Sequence, residues 1–118
     1  MSEPVFSLRT EAQLGMVVAT ISGTLSTCEQ THALAGTLAD VPRGYSLVIE
    51  LDAMTTLSAP SLACLRNLAL AATREGIRLI LVSESLDVRA NLVLADLDSL
   101  APVLHNLAQA GQVVAAAA

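Results

Sequence analysis

Lysine and tryptophan are missing from this chain, and phenylalanine and tyrosine occur once each. Without lysine there is no Schiff-base nucleophile and no P-loop cation for phosphate. Two aromatic rings in 118 residues cannot form a base-stacking platform. The six basic residues are all arginine (Arg9, Arg43, Arg66, Arg74, Arg78, Arg89), scattered along a chain of net charge −5. An acidic chain with no basic stripe argues against nucleic acid as a direct partner. Its longest apolar runs, about eight residues, fall far short of the roughly 20 that span a bilayer. No basic start leads into an apolar stretch, so no signal peptide is read and a cytoplasmic protein without membrane insertion is expected. Cys28 and Cys64 are the only cysteines. Both fall in predicted helices and read as reduced thiols packed like small apolar groups. A metal site would need more donors than His32 adds.

Catalytic patterns are also missing. There is no G-x-S-x-G elbow, no H-E-x-x-H, no Walker loop and no G-x-G-x-x-G. His32 lies mid-helix and His105 near a helix start, neither with a partner in sequence that would make it a general base. Asp96 and Asp98 read as a solvated acidic turn, because no further carboxylates are spaced to complete a metal site. No enzyme activity and no cofactor are expected.

What the chain does have is apolar mass in short, punctuated segments. Hydrophobic residues make up 53% and charged residues 14%. That composition folds, and the length suits one domain over residues 1–118. Val5 to Thr10 and Met16 to Ile21 read as an antiparallel hairpin turning at Gln13-Leu14-Gly15. Ser26-Thr27-Cys28-Glu29 fits a capping box, opening a helix to about Asp40 with Cys28, Leu34 and Leu38 on its inner face. Val41-Pro42-Arg43-Gly44 stops it. Leu47 to Leu51 and Ile77 to Val82 are continuous apolar runs, the mark of strands buried on both faces. Ser85 caps a helix from Leu86 to about Ala95, and Asp96 to Leu100 forms a turn or helical tail. Ala101-Pro102-Val103 adds a short edge strand, and Asn106 caps a last helix through Val114. The alanine tail, residues 115–118, has no anchor and is expected to fray. Parallel strands joined by helices give an α/β fold. The expected sheet is mostly parallel and four- to five-stranded, with an antiparallel edge strand and about four helices.

Tyr45 to Gly76 organises the rest. Its strand ends in Leu51-Asp52, Thr55 to Ser58 break the pattern, and a helix follows with Leu62, Leu65, Ala69 and Ala72 at helical spacing. Ser58 suits the N-cap, Pro60 the first turn and Gly76 the C-terminal stop. In α/β proteins the loop from a strand end into a helix N-terminus is the usual binding place. Asp52 sits where a response-regulator receiver would carry its phospho-accepting aspartate. Such a domain also needs an acidic pair, where this chain has Ser22-Gly23, and a lysine. Asp52 is read instead as bonding loop amides.

The ordered set of motifs resembles the STAS domain family, the anti-sigma factor antagonists of bacteria. The residues that carry the resemblance are Val48-Ile49-Glu50-Leu51-Asp52, Leu57-Ser58-Ala59-Pro60-Ser61-Leu62 and Gly76-Ile77-Arg78-Leu79-Ile80-Leu81-Val82. Gly23-Thr24-Leu25-Ser26 upstream and Leu97-Asp98-Ser99-Leu100 to Val103 downstream complete it. The resemblance implies a STAS-like fold and a regulatory binding module that sequesters an anti-sigma factor, often a serine kinase. In the family that kinase phosphorylates a serine after the loop aspartate, and the added charge of about −1.5 to −2 breaks the interface. Here Ser58 matches the aspartate, Ala59 the acceptor serine, Pro60 the next serine and Ser61 the glycine. Alanine cannot be phosphorylated, so the usual switch is expected to be absent. Ser58 and Ser61 are the candidate substitute acceptors, with Thr55 and Thr56 behind them, although both serines also suit capping of the helix's first turn. The expected partner surface comprises Thr24, Ser26, Ser58, Ser61 and Leu62. Two alternatives stand beside this reading. One is a STAS-type scaffold in a sensory or lipid-transport assembly; the other is a nucleotide or small-ligand sensor. A homodimer is left open.

Overall fold

The computed structural model describes residues 7–13, 15–22, 28–51 and 57–117. Strand β1 (Ser7–Gln13) pairs antiparallel with β2 (Met16–Ser22). Gln13 pairs with Met16, so the loop has two residues, and Gly15 takes φ +83°, a left-handed value that suits glycine. Then come α1 (Cys28–Ala39), β3 (Ser46–Leu51), α2 (Ala59–Arg74), β4 (Leu79–Val82), α3 (Leu86–Leu94), a 3₁₀ turn (Leu97–Ser99), β5 (Val103–Leu104) and α4 (Leu107–Ala117). The five strands lie in sequence order, β2 to β5 parallel and β1 antiparallel at the edge. This is the α/β sheet that the apolar runs foretold.

Strand order explains the layers. When each crossover advances one strand in the same direction, right-handedness puts every crossover helix on one face. Accordingly α1, α2 and α3 pack on the face carrying Val17, Ala19, Ile21, Leu47, Ile49, Leu51, Leu79 and Leu81. The opposite face, with Met16, Val18, Val48, Ile80 and Val82, is covered by α4 through Leu107, Ala110, Val113 and Val114. Alternate residues of β3 and β4 therefore meet different helices, which is why the runs are apolar without alternation. The exception is Glu50 on the α4 face, half-buried and accepting a 3.0 Å hydrogen bond from its register neighbour Thr20.

The boundaries shift where backbone groups have other work. The expected strand from Ile77 begins at Leu79, because the Ile77 amide is used to close α2. It donates to Ala72 O at 2.9 Å while the Gly76 amide donates to Thr73 O at 3.2 Å, and Gly76 has φ +71°. That pair of bonds is a Schellman motif. The last strand falls at Val103–Leu104, not Ala101–Val103, and Pro102 contributes only its carbonyl, to the Leu81 amide at 2.9 Å. The expected turn after α3 is a 3₁₀ turn entered through left-handed Asp96 (φ 62°). Asn106 caps α4 as expected, its Oδ1 accepting from the Gln109 amide at 2.9 Å. The helix continues past Val114 through Ala117, so residues 115–117 of the alanine tail are helical. Leu34 and Leu38 are buried as expected. The Cys28 side chain and the Ser26 capping box lie outside what is described.

Leu65 sits fully buried where α2 meets the sheet, whereas Leu70 on the same helix is 40% exposed. Leu65→Ala should lower unfolding stability by about 2–5 kcal/mol, and Leu70→Ala should stay within about 0.5 kcal/mol of the parent. Urea denaturation followed by circular dichroism decides this; equal losses would mean that α2 does not pack by this face.

Candidate functional site

The parallel strands β2, β3 and β4 all end on the same edge of the domain. α2 begins there. Ser58 is its N-cap, with extended backbone (φ −97°, ψ 172°). Its Oγ accepts from the Ser61 amide at 3.3 Å and lies 3.0 Å from the Ser61 Oγ, while its carbonyl accepts from the Leu62 amide at 3.0 Å. Ala59 and Pro60 form the first two helical positions, where proline's fixed φ fits and its missing N–H leaves nothing unsatisfied. Leu57 and Leu62 occupy the staple positions either side of the cap, and both are half-buried against the helix-side core. The chain's entry into α2 is thus held by a cap, a ring constraint and two apolar anchors.

Exposure divides the expected site residues. Ala59 and Pro60 face solvent, Ser58 and Leu62 are half-buried, and Ser61 is fully buried. The structure brings Ser58, Ser61 and Leu62 together on one turn. Thr24, Ser26, Thr55, Thr56 and Asp52 lie outside the described residues. Ser61 points its hydroxyl back at Ser58 rather than outward, which is first-turn capping.

The neighbouring loop, Ser83-Glu84-Ser85, carries the expected Ser85 cap and a buried serine that the sequence did not single out. Ser83, at the end of β4, is buried; its Oγ accepts from the Ser85 amide at 3.1 Å and its carbonyl accepts from Arg89 Nη1 at 2.8 Å. Ser85 in turn caps α3 by accepting from the Val88 amide at 3.3 Å. Because β3 and β4 are adjacent, the α2 and α3 N-termini stand side by side on the same edge. The available signal was topological: consecutive parallel strands bring consecutive strand-to-helix loops together. Fixed charge on this edge lies at the start of α3, where Glu84 and Asp87 are exposed, and not at the start of α2. The first turn of α2 carries no acid and its Ser58–Leu62 segment no base, while Arg89 on the next loop is engaged by Ser83. Among the described residues no three His, Cys, Asp or Glu side chains cluster to hold a metal. No described helix is long and apolar enough to cross a membrane.

Comparison with known proteins rests on structure. No family model matches the sequence, and no curated protein matches it significantly. The crystal structure of an anti-sigma factor antagonist from Mycobacterium paratuberculosis is similar over 93% of this chain and 94% of its own, with TM-score 0.73 at 24% identity. The NMR structure of the protein TM1081 is similar over 89% of this chain and 86% of its own, with TM-score 0.64 at 20% identity. The fold is that of the STAS domain. In this STAS-like fold the exposed Ala59–Pro60 step sits at the tip of α2, on the edge where β2, β3 and β4 end.

Capping has a measurable consequence. Ser58→Ala should destabilise the domain by about 1 kcal/mol, and Ser58→Asp should restore most of that, since a carboxylate also accepts from the first-turn amides. Guanidinium unfolding of the three proteins checks it; an aspartate variant no better than alanine would mean that capping is not what Ser58 does.

Proposed function

We propose that this protein is a regulatory binding module of the anti-sigma factor antagonist kind, which sequesters an anti-sigma factor and does so without the usual serine phosphorylation switch. The observation that carries the reading is the exposed, hydroxyl-free step Ala59–Pro60 at the first turn of α2, the position that the motif resemblance aligns with the phospho-acceptor. The similarity in fold to an anti-sigma factor antagonist supports a role in binding a protein partner. A stiff, uncharged helix tip supports a contact made by shape and backbone amides rather than by chemistry on a substrate. The contact surface then comprises the Ser58–Leu62 turn together with the Thr24 to Ser26 segment.

With Ala59 in place, binding is constitutive with respect to phosphorylation. Of the two substitute hydroxyls, Ser58 alone has exposure in this conformation, and both are tied into the helix cap. A kinase would have to dismantle the first turn to reach Ser61. A nucleotide or small-anion sensor would need open amides and a cation at the helix start, but the Ser61 and Leu62 amides are used by Ser58, Pro60 has none, and Arg89 is bonded to the Ser83 carbonyl.

Mixing the protein with the anti-sigma factors of its source organism, with and without ATP, tests the reading by native and intact mass together. The expected result is a one-to-one complex that persists with ATP and gains no phosphate. A complex lost as phosphate appears on Ser58 or Ser61 would overturn the constitutive part. No complex with any candidate would sink the antagonist reading and favour a scaffold role.

Introducing charge separates folding from binding. Ala59→Glu places a carboxylate at a helix N-terminus and should leave stability unchanged or raised by about 0.3–1 kcal/mol. The same variant should weaken partner binding by at least about tenfold through desolvation and repulsion at the interface. Calorimetry of unfolding and of binding gives both numbers. Unaltered affinity would mean that the α2 tip does not touch the partner.

A further inference from the structure

Strand β1 is an edge of the sheet, and no other described strand pairs with its outer side. Along a strand, one residue turns its N–H and C=O to one side and the next residue turns them to the other. The Ser46 amide donates to Gly15 O at 3.1 Å, so Gly15, Val17, Ala19 and Ile21 aim their backbone groups at β3. Met16, Val18 and Thr20 therefore bond to β1, through Gln13, Glu11 and Arg9. That leaves Leu8, Thr10 and Ala12 with N–H and C=O pointing out of the sheet. Such a row is a template for one more strand. Glu11 and Ala12 are exposed, so α1 does not close over it.

We propose that the occupant is a second copy of this chain, joined through β1 antiparallel about a two-fold axis at Thr10, so that two five-stranded sheets become one. The sequence Ser7-Leu8-Arg9-Thr10-Glu11-Ala12-Gln13 is self-complementary about that point. A two-fold contact sets residue i on j and j on i, here Leu8 on Ala12, Arg9 on Glu11 and Thr10 on Thr10. Leu8, Thr10 and Ala12 supply the hydrogen-bonded pairs, about six ladder bonds in all. Arg9 and Glu11 fall at the other pairs, where Cα atoms come within about 4.5 Å. Opposite charges thus meet twice. An axis at Arg9 or at Glu11 would instead set like charges on each other, which destabilises a strand pair. Charge therefore selects both the occupant and its register. Each copy carries −5 overall, but about 0.15 M salt screens that field beyond roughly 8 Å, farther than the paired positions stand apart. This pairing involves β1 alone and does not require that the α2 tip bind an anti-sigma factor.

Sedimentation velocity in about 0.15 M salt, across about 10 µM to 1 mM, reads the association directly. The parent chain should pass from monomer to dimer in that range. Arg9→Glu and Glu11→Arg each set like charges opposite one another twice. Each should weaken self-association at least about tenfold while keeping the parent circular dichroism and melting temperature. The double swap Arg9→Glu/Glu11→Arg should dimerise like the parent, and the two single variants mixed one to one should form a heterodimer. In the parent, amide exchange at Leu8, Thr10 and Ala12 should slow on dimerisation, and exchange at Arg9 and Glu11 should change less. A parent chain that stays monomeric to 1 mM overturns the proposal and leaves the edge to a strand of another protein. So does a dimer indifferent to the single swaps, a double swap or a mixture that fails to pair, or exchange at Leu8, Thr10 and Ala12 that dimerisation leaves unchanged.

Discussion

Strands β3 and β4 have no face left for water. Leu47, Ile49, Leu79 and Leu81 point to one side and Val48, Ile80 and Val82 to the other, all of them buried. A sheet with two apolar faces must be covered twice, and antiparallel hairpins cannot supply both covers. The rest of the molecule follows from that requirement. Three crossover helices close one face because right-handed connections between successive strands all fall on the same side. The other face has no crossover to cover it, and the chain spends its last helix there: Ala110 of α4 is fully buried, and Val114 lies 3.7 Å from where a side chain on Gly15 would begin. Removing that helix would expose the valines and isoleucine of the central strands together.

The same constraint places the candidate edge. Parallel strands end together, so β3 and β4 bring the starts of α2 and α3 to one rim. Helix α2 is then fixed at its start by Ser58, Pro60 and the flanking leucines. A rim built this way presents shape. Ser58 and Ser85 are occupied with the helices' own amides, and among the described residues no three His, Cys, Asp or Glu side chains cluster to hold a metal. Ser58, Ala59, Pro60 and Ser61 are all compatible with a helix start. Each of those residue types fits a helix start, so the first turn forms whether or not a phosphate switch is present.

Legibility in the sequence varied with how local the cause was. Ser58, Ser85 and Asn106 were readable as caps, because a cap depends on residues within three positions of it. Gly44 and Gly76 were readable as stops for the same reason. Boundaries were missed where a distant group competed for an amide or carbonyl, as at Ile77, whose N–H closes α2 instead of lengthening β4. Pro102 drew the start of the edge strand two residues early, since its tolerance at an edge said nothing of which carbonyl would join the ladder. The Arg89 bond to the Ser83 carbonyl was invisible: a loop carbonyl six residues away offers no pattern to read.

By itself the sequence determined the class of fold, the element order, the starts and stops of most helices and the absence of a hydroxyl at Ala59, because periodicity, capping and side-chain chemistry are written locally along a chain. Only the tertiary structure decided that Ser61 is sealed inside the first turn while Ala59 faces water, that the α2 and α3 N-termini share one rim, and that Leu86 and Leu94 lie outside the core rather than in it. Those outcomes depend on which face of each helix meets the sheet. That is set by the packing of residues far apart in sequence, and an apolar stripe looks the same on paper whether a core or the solvent lies beneath it.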